Sequence, residues 1–207
     1  ARVVILGAGA VGEYATRTAL GLGAEVRVFD NSIYKLMRLQ NNVNARVYTS
    51  IINPALLSSE LSKADLVVGA IHSELGRTPI IVTEEMVSHM KPGSVIVDVS
   101  IDQGGCFETS KITNHKNPTF RMFDVIHYCV PNIASRVSKT ASSALSHVLI
   151  PILHRAQKHA NFDQFMLNNL GMRNGLYLYK GHVTNLYLSQ RFDLKYTNLE
   201  LLITSAM

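Results

Sequence analysis

Gly7-Ala8-Gly9-Ala10-Val11-Gly12 sets three glycines at the spacing G-x-G-x-x-G, and a run of that kind does its chemistry through the backbone. An apolar stretch, Val3-Val4-Ile5-Leu6, precedes it, and Val11, Tyr14, Ala15, Thr18, Ala19 and Leu22 follow at helical spacing. The run therefore reads as strand, tight turn and helix. Gly7 allows the turn, Gly9 lets the main chain approach a pyrophosphate, and Gly12 permits close packing of helix on strand. Ala10 and Val11 open the helix, whose unpaired N–H groups and positive dipole end favour phosphate oxygens. Taken alone, the pattern also fits an ordinary glycine-rich turn.

Asp30 sharpens the reading. It closes the second strand pattern, around Val26 and Val28, eighteen residues after Gly12, where a dinucleotide-binding fold places an acid against the adenine ribose. A carboxylate there accepts hydrogen bonds from both ribose hydroxyls and repels a 2′-phosphate. At about 4 Å and an effective dielectric of about 20, two unit charges repel by roughly 4 kcal/mol, several hundredfold in affinity. NAD rather than NADP is the expected cofactor. Lys35, five residues beyond the strand end, reads as bordering the adenine edge or as solvated. Ile71 and His72 end the fourth strand on the adenosine side, where His72 either borders the ligand or is inert.

These residues need a scaffold that gathers loops along one edge. Apolar runs at 3–6, 26–28, weakly around Val47, 66–68, 95–99 and 125–130 are continuous rather than alternating, as strands buried on both faces of a parallel sheet require. Helical segments lie between the first five, with stops at Gly23, Pro54 and Pro92-Gly93. The pattern predicts an α/β fold with a Rossmann-type doubly wound parallel sheet over residues 1–134. Residues 101–124 show no periodicity, and a loop of that length reads as functional. From 135 onward, Val137, Ala141, Ala144, Leu145, Val148, Ile152 and Ala156 predict one helix to about Ala160, roughly 39 Å long and kinked at Pro151. An α-rich tail completes the segment 135–207, with a Gly-Leu-Tyr-Leu-Tyr stretch from Gly175 and short helices near 186–192 and 199–203.

Composition bounds the partners. Hydrophobic residues make up 47% and charged residues 17%, which describes a globular chain with an apolar excess suited to a partner surface. The net charge of +5 is scattered without a basic block or interleaved aromatics, so no nucleic acid is expected. No apolar run is long enough to span a membrane, and the chain opens on a strand pattern without a leader. Cys106 and Cys129 lack metal spacing and are too few for a secreted disulfide framework; they read as small buried residues in a cytoplasmic protein without a metal site. His154 and His159 do not share a helix face, and His127 packs beneath the sixth strand pattern.

After the fifth strand, Val97-Asp98-Val99-Ser100-Ile101-Asp102-Gln103-Gly104-Gly105-Cys106-Phe107-Glu108 is acidic and glycine-rich. Ligands of open α/β sheets bind outside the carboxyl ends of the strands, which puts this stretch near the nicotinamide. It resembles a signature of the alanine dehydrogenase and pyridine nucleotide transhydrogenase family, and His127-Tyr128-Cys129-Val130-Pro131-Asn132-Ile133 resembles that family's next one. Met90-Lys91-Pro92-Gly93, Lys139-Thr140-Ala141-Ser142 and Tyr179-Lys180-Gly181 extend the resemblance over almost the whole chain, closer to alanine dehydrogenase than to transhydrogenase. It implies that Asp102 corresponds to the catalytic aspartate, and Asn132 with Ile133 to an Asn-Met pair lining the nicotinamide pocket. Asp30 corresponds to the ribose acid, Thr49 or Ser50 to a cofactor serine, and Lys111 to an arginine that touches the cofactor. Ile133, Lys111 and Ala134-Ser135-Arg136 depart from the usual methionine, arginine and Pro-Gly-Ala.

The resemblance implies NAD-dependent oxidative deamination of L-alanine to pyruvate and ammonia in a homo-oligomer, a hexamer. The family places a substrate domain bearing a catalytic lysine and histidine before the first Rossmann strand. These 207 residues do not contain it, so they are expected to be inactive alone, with 135–207 packing on that domain. Two other readings stay open: the NAD-binding subunit of a proton-translocating transhydrogenase, and a non-catalytic NAD-binding module.

Overall fold

A computed structural model of the chain describes residues 1–73, 76–159 and 161–204. It divides into two compact units, Ala1–Ile133 and a second that begins at Ala134. In the first, β1 (Arg2–Leu6), α1 (Ala10–Gly21), β2 (Glu25–Phe29), α2 (Ile33–Val43), β3 (Tyr48–Ser50), α3 (Pro54–Leu61) and β4 (Leu66–Gly69) alternate. Next come α4 (Glu84–Ser88), β5 (Val95–Asp98), a 3₁₀ turn at Val99–Gln103, β6 (Thr119–Met122) and β7 (Val125–Tyr128).

The seven strands lie in the order β3-β2-β1-β4-β5-β7-β6, parallel throughout except that β6 runs antiparallel to β7. From β3 at one edge the chain crosses back to β4 on the far side of β1. That reversal opens a crevice at the carboxyl ends of β1 and β4. Alternation along β1 sends Val3 and Ile5 into one core with Ala19, Val26, Val28, Leu36 and Leu39, and Val4 and Leu6 into the other with Leu57, Leu61, Val67, Ile96 and Phe107. Each such side chain contributes about 1.5–3 kcal/mol on burial, so the strand that leads into the glycine run is held on both faces.

Strand β6 departs from the loop expected over 101–124. Its exposure alternates residue by residue, as at a half-covered edge, and it joins β7 through Phe123 and Asp124, both at positive φ (51° and 58°). Two such residues form the tight turn that suits a hairpin's twist, here without the Asn-Gly pair that usually marks it. The other strand limits move slightly: β5 ends at Asp98, β7 at Tyr128, and the weak third run settles at Tyr48–Ser50.

The second unit begins within a 3₁₀ turn at Ile133–Val137 and contains α5 (Ser138–Gln157), α6 (Phe162–Asn168), α7 (Leu170–Asn174), β8 (Leu178–Tyr179), β9 (His182–Val183), α8 (Leu186–Phe192) and α9 (Leu199–Thr204). Helix α5 starts three residues later than its periodicity suggested, because 133–137 winds as a 3₁₀ turn, and it runs on through Pro151. It ends at Gln157 with Lys158 as its C-cap, short of the expected end at Ala160, a residue that itself lies outside the described residues. Helices α6 and α7 were not legible from periodicity; both are short and capped by Asn161 and Asn169. No helix among the described residues is long and apolar enough to cross a membrane.

Candidate functional site

At the crevice, each glycine of the run has a distinct constraint. Gly7 sits at φ +108° and donates its N–H to the Phe29 carbonyl at 2.7 Å, while a Cβ there would lie 2.4 Å from the Ala70 carbonyl oxygen. A Cβ on Gly12 would lie 1.8 Å from the Gly7 oxygen, so α1 packs directly on the turn. Gly9 has nothing within 4 Å of where its Cβ would be, and no side chain caps α1 there. Helices α2, α3 and α4, by contrast, are capped by Ser32, Asn53 and Thr83.

Asp30 is buried at the end of β2. Its Oδ2 accepts from the Ala8 N–H at 2.8 Å and its Oδ1 from the Ser32 N–H at 2.7 Å. A carboxylate has about four acceptor positions, so about two remain for a ligand. Gly7, Gly9, Asp30, Lys35, Ile71 and His72 line a cavity of about 470 Å³, together with Ile52, Pro79 and Ile81. The open space over Gly9, the uncapped helix and the spare acceptors of Asp30 fit the pyrophosphate and ribose of a dinucleotide, and the isoleucines fit an adenine ring.

A second cluster lies past the carboxyl end of β5. Asp102, exposed on the 3₁₀ turn, accepts at Oδ1 from the Asn132 N–H at 2.8 Å. That bond joins the two segments after β5 and β7; Asn132 itself takes φ 51°. Asp98 is buried beneath and accepts from the Ser100 N–H (3.0 Å), the Cys106 N–H (3.1 Å) and the Ser110 hydroxyl (2.7 Å). Burial pushes its carboxyl above the ordinary value, against the pull of those bonds. Cys106 and Cys129 are buried, and desolvation pushes both thiols up, Cys106 well above its ordinary value, which leaves them inert. His127 is fully buried, stacked on Phe120 at 4.7 Å, with Nδ1 on the Val125 carbonyl and Nε2 on the Thr109 hydroxyl. Desolvation holds its pKa below the ordinary value.

The remaining expected site residues are more dispersed. Ala10 and Val11 form the first turn of α1 without lining the cavity. Thr49 and Ser50 also stand outside its lining: the Thr49 hydroxyl accepts from Gln40, and the Ser50 carbonyl accepts from the Asp30 N–H, while Ile52 reaches the cavity instead. Lys111 is exposed and away from the cavity lining. Asp102 and Asn132 belong to the second cluster, and Ile133 follows Asn132 at the start of a 3₁₀ turn. Sequence reasoning missed Ser32, whose N–H braces Asp30; the Asp30-Asn31-Ser32 order is an Asx-turn pattern that could have revealed it. It also missed the Gln103 side chain, which bonds the Ser73 main chain. No signal in spacing marks that contact. Among the described residues no three His, Cys, Asp or Glu side chains cluster as metal ligands.

The strand order, the glycine turn beneath an uncapped helix and the braced acid at the end of β2 define a Rossmann-type dinucleotide-binding domain. Residues 1–186 match the family described as alanine dehydrogenase/PNT, C-terminal domain, and the chain belongs to that family. It is 39% identical over 203 residues to an alanine dehydrogenase of Halomonas elongata, covering 98% of this chain and 54% of that protein. A solved L-alanine dehydrogenase superposes with a TM-score of 0.82 at 36% identity, covering 93% of this chain and 53% of that one. A transhydrogenase from Sinorhizobium meliloti gives a TM-score of 0.65 at 29% identity, covering 74% and 43%. The chain thus spans about half the length of the curated relatives it matches. NAD is the cofactor of this domain.

Proposed function

We propose that these residues supply the NAD-binding half of an enzyme that oxidatively deaminates L-alanine to pyruvate and ammonia, reversibly. The observation that carries the reading is the Asp102–Asn132 pair, a solvent-facing carboxylate held at the carboxyl end of the sheet beside a cavity suited to a dinucleotide. The chemistry supplied by NAD is acceptance of the hydride that leaves the amino-acid Cα. Gly7, Gly9 and the start of α1 hold the pyrophosphate, and Asp30 orients the adenine ribose. Lys35, Ile71 and His72 border the adenosine. Asp102 keeps one oxygen on Asn132 and uses the other to exchange a proton with the water or ammonia that adds to or leaves the reacting carbon. Overall, alanine, water and NAD⁺ give pyruvate, ammonium, NADH and a proton.

Residues 135–207 complete the proposed enzyme as a connecting helix and packing segment. Leu145, Val148, Leu149, Ile150 and Leu153 are exposed along α5, a surface that the remainder of a homo-oligomeric enzyme would cover. Tested as an isolated polypeptide, the 207 residues would bind NADH without turning over alanine. The test is alanine-dependent NADH formation by the protein that carries this chain; NADH binding without any turnover of alanine or pyruvate would reject the reaction. The likeness to the transhydrogenase structure favours a second reading, the NAD-binding part of such an enzyme. Hydride transfer from NADH to an NADP analogue, without alanine turnover, would select it.

A further inference from the structure

Gln103 stands between the two clusters. The Ser73 N–H donates to its Oε1 at 3.0 Å, and its Nε2 donates to the Ser73 carbonyl at 2.8 Å. Its own carbonyl accepts from the Thr78 N–H at 2.9 Å. Ser73 lines the cavity beside Ile71 and His72, whereas Asp102, next to Gln103 in the chain, holds Asn132. One residue therefore connects the cavity wall after β4 to the turn that carries the exposed carboxylate. A carboxamide bonded to both main-chain groups of one residue imitates strand pairing, and it needs a donor and an acceptor at once. The turn behind it is tight: Gly104 sits at φ +96°, and a Cβ there would come within 3.0 Å of Arg77.

We propose that Gln103 is a positioning residue that sets the cavity wall at Ile71 to Ser73 relative to the Asp102–Asn132 pair, so that a dinucleotide anchored at Asp30 delivers its nicotinamide to Asp102. The inference rests on the proposed function in placing the nicotinamide at Asp102. Neither anchor of the adenosine end, the glycine turn or Asp30, bonds to the Gln103 side chain. Ile71 and His72 follow directly on β4 and keep that support, whereas the amide reaches only Ser73 beyond them, so its loss releases the turn that carries Asp102 more than the adenosine end.

The test uses two probes on the chain: ADP-ribose by calorimetry for the adenosine and pyrophosphate end, and NADH fluorescence for the nicotinamide. In the unmutated chain we expect NADH fluorescence to be enhanced on binding. In Gln103→Leu, ADP-ribose affinity stays within about threefold, while NADH binds about tenfold more weakly and loses its enhancement. Unchanged enhancement, or an equal loss for both probes, overturns the positioning role. Gln103→Glu decides the matter if the leucine variant does not fold. A protonated glutamate offers the same donor and acceptor, whereas a carboxylate sets an oxygen against the Ser73 carbonyl. Its enhancement is expected at about pH 5 and lost at about pH 8, because a carboxyl with one oxygen held against the Ser73 carbonyl favours its proton and titrates above its usual value of about 4.3. An equal signal at both pH values overturns the inference. No enhancement in the unmutated chain rejects the nicotinamide placement and this inference together; a normal signal there that persists in both variants rejects Gln103 alone.

Discussion

Asp102 accepts a 2.8 Å hydrogen bond from the main-chain N–H of Asn132, thirty residues further along the chain. The bond fixes the rotamer of an exposed carboxylate that would otherwise sample solvent, and it does so through one oxygen. Two sequence signatures that are distant in the chain are thereby joined at one point beyond the sheet.

Replacing Asp102 with Asn tests its chemistry. The asparagine retains an oxygen for the Asn132 N–H but cannot exchange a proton. In the enzyme that carries this chain, kcat should fall by about a hundredfold or more, with NADH affinity changed little, as for a removed general acid or base. Steady-state kinetics with alanine check this. Retention of most of the turnover would remove Asp102 from the reaction.

Asp98 should behave differently. Both of its oxygens accept hydrogen bonds from buried donors, and an asparagine has one acceptor oxygen where the carboxylate has two. Asp98→Asn should destabilise the chain by about 1–3 kcal/mol, read from denaturant unfolding. Unchanged stability together with lost turnover would reverse the roles given to the two aspartates.

The glycine run offers a separation of stability from binding. Gly9→Ala places a methyl in open space at an extended backbone (φ −78°, ψ −168°), so stability should change by no more than about 1 kcal/mol. NADH affinity should nonetheless fall by about tenfold or more, because the methyl fills the space the pyrophosphate needs. Gly12→Ala drives a Cβ into the Gly7 carbonyl and should cost about 3 kcal/mol of stability. Calorimetric titration with parallel thermal melts distinguishes the two; undiminished NADH binding by Gly9→Ala would move the pyrophosphate elsewhere.

His127 predicts a pH dependence. Its folded pKa is depressed by burial, so the unfolded chain binds a proton more readily. The stability contributed by the neutral ring is intact above its ordinary pKa of about 6.5 and is lost as pH falls through that value toward the depressed one. His127→Gln keeps a donor and an acceptor without titrating. Denaturant midpoints at mildly alkaline and mildly acidic pH should fall further with acid in the unmutated chain than in the variant. An equal fall would place the titration on another group.

Much of the architecture was legible because it rests on local chemistry. Continuous β-branched runs marked the buried parallel strands, and Gly7, Gly9, Gly12 and Asp30 each announced a backbone or charge requirement. Strand β6 was hidden because its apolar residues are few and its turn uses Phe123 and Asp124 at positive φ. The bracing of Asp98 and the bonds of Gln103 to Ser73 depend on loops that meet only in the fold, eight to thirty residues apart. Thr49, Ser50 and Lys111 correspond to cofactor-contacting residues by resemblance alone; the cavity lining includes Ile52, just past β3, and none of these three.

The most direct measurement is a pair of titrations of the unmutated chain with NADH and NADPH, followed by cofactor fluorescence. Asp30 is buried, braced by Ala8 and Ser32, and directed at the cavity, so its charge opposes a 2′-phosphate in a poorly solvated place. We expect NADH to bind at least about tenfold more tightly than NADPH, and Asp30→Ser to narrow that gap. Equal affinities for the two cofactors in the unmutated chain would contradict the assignment of Asp30 and, with it, the NAD site.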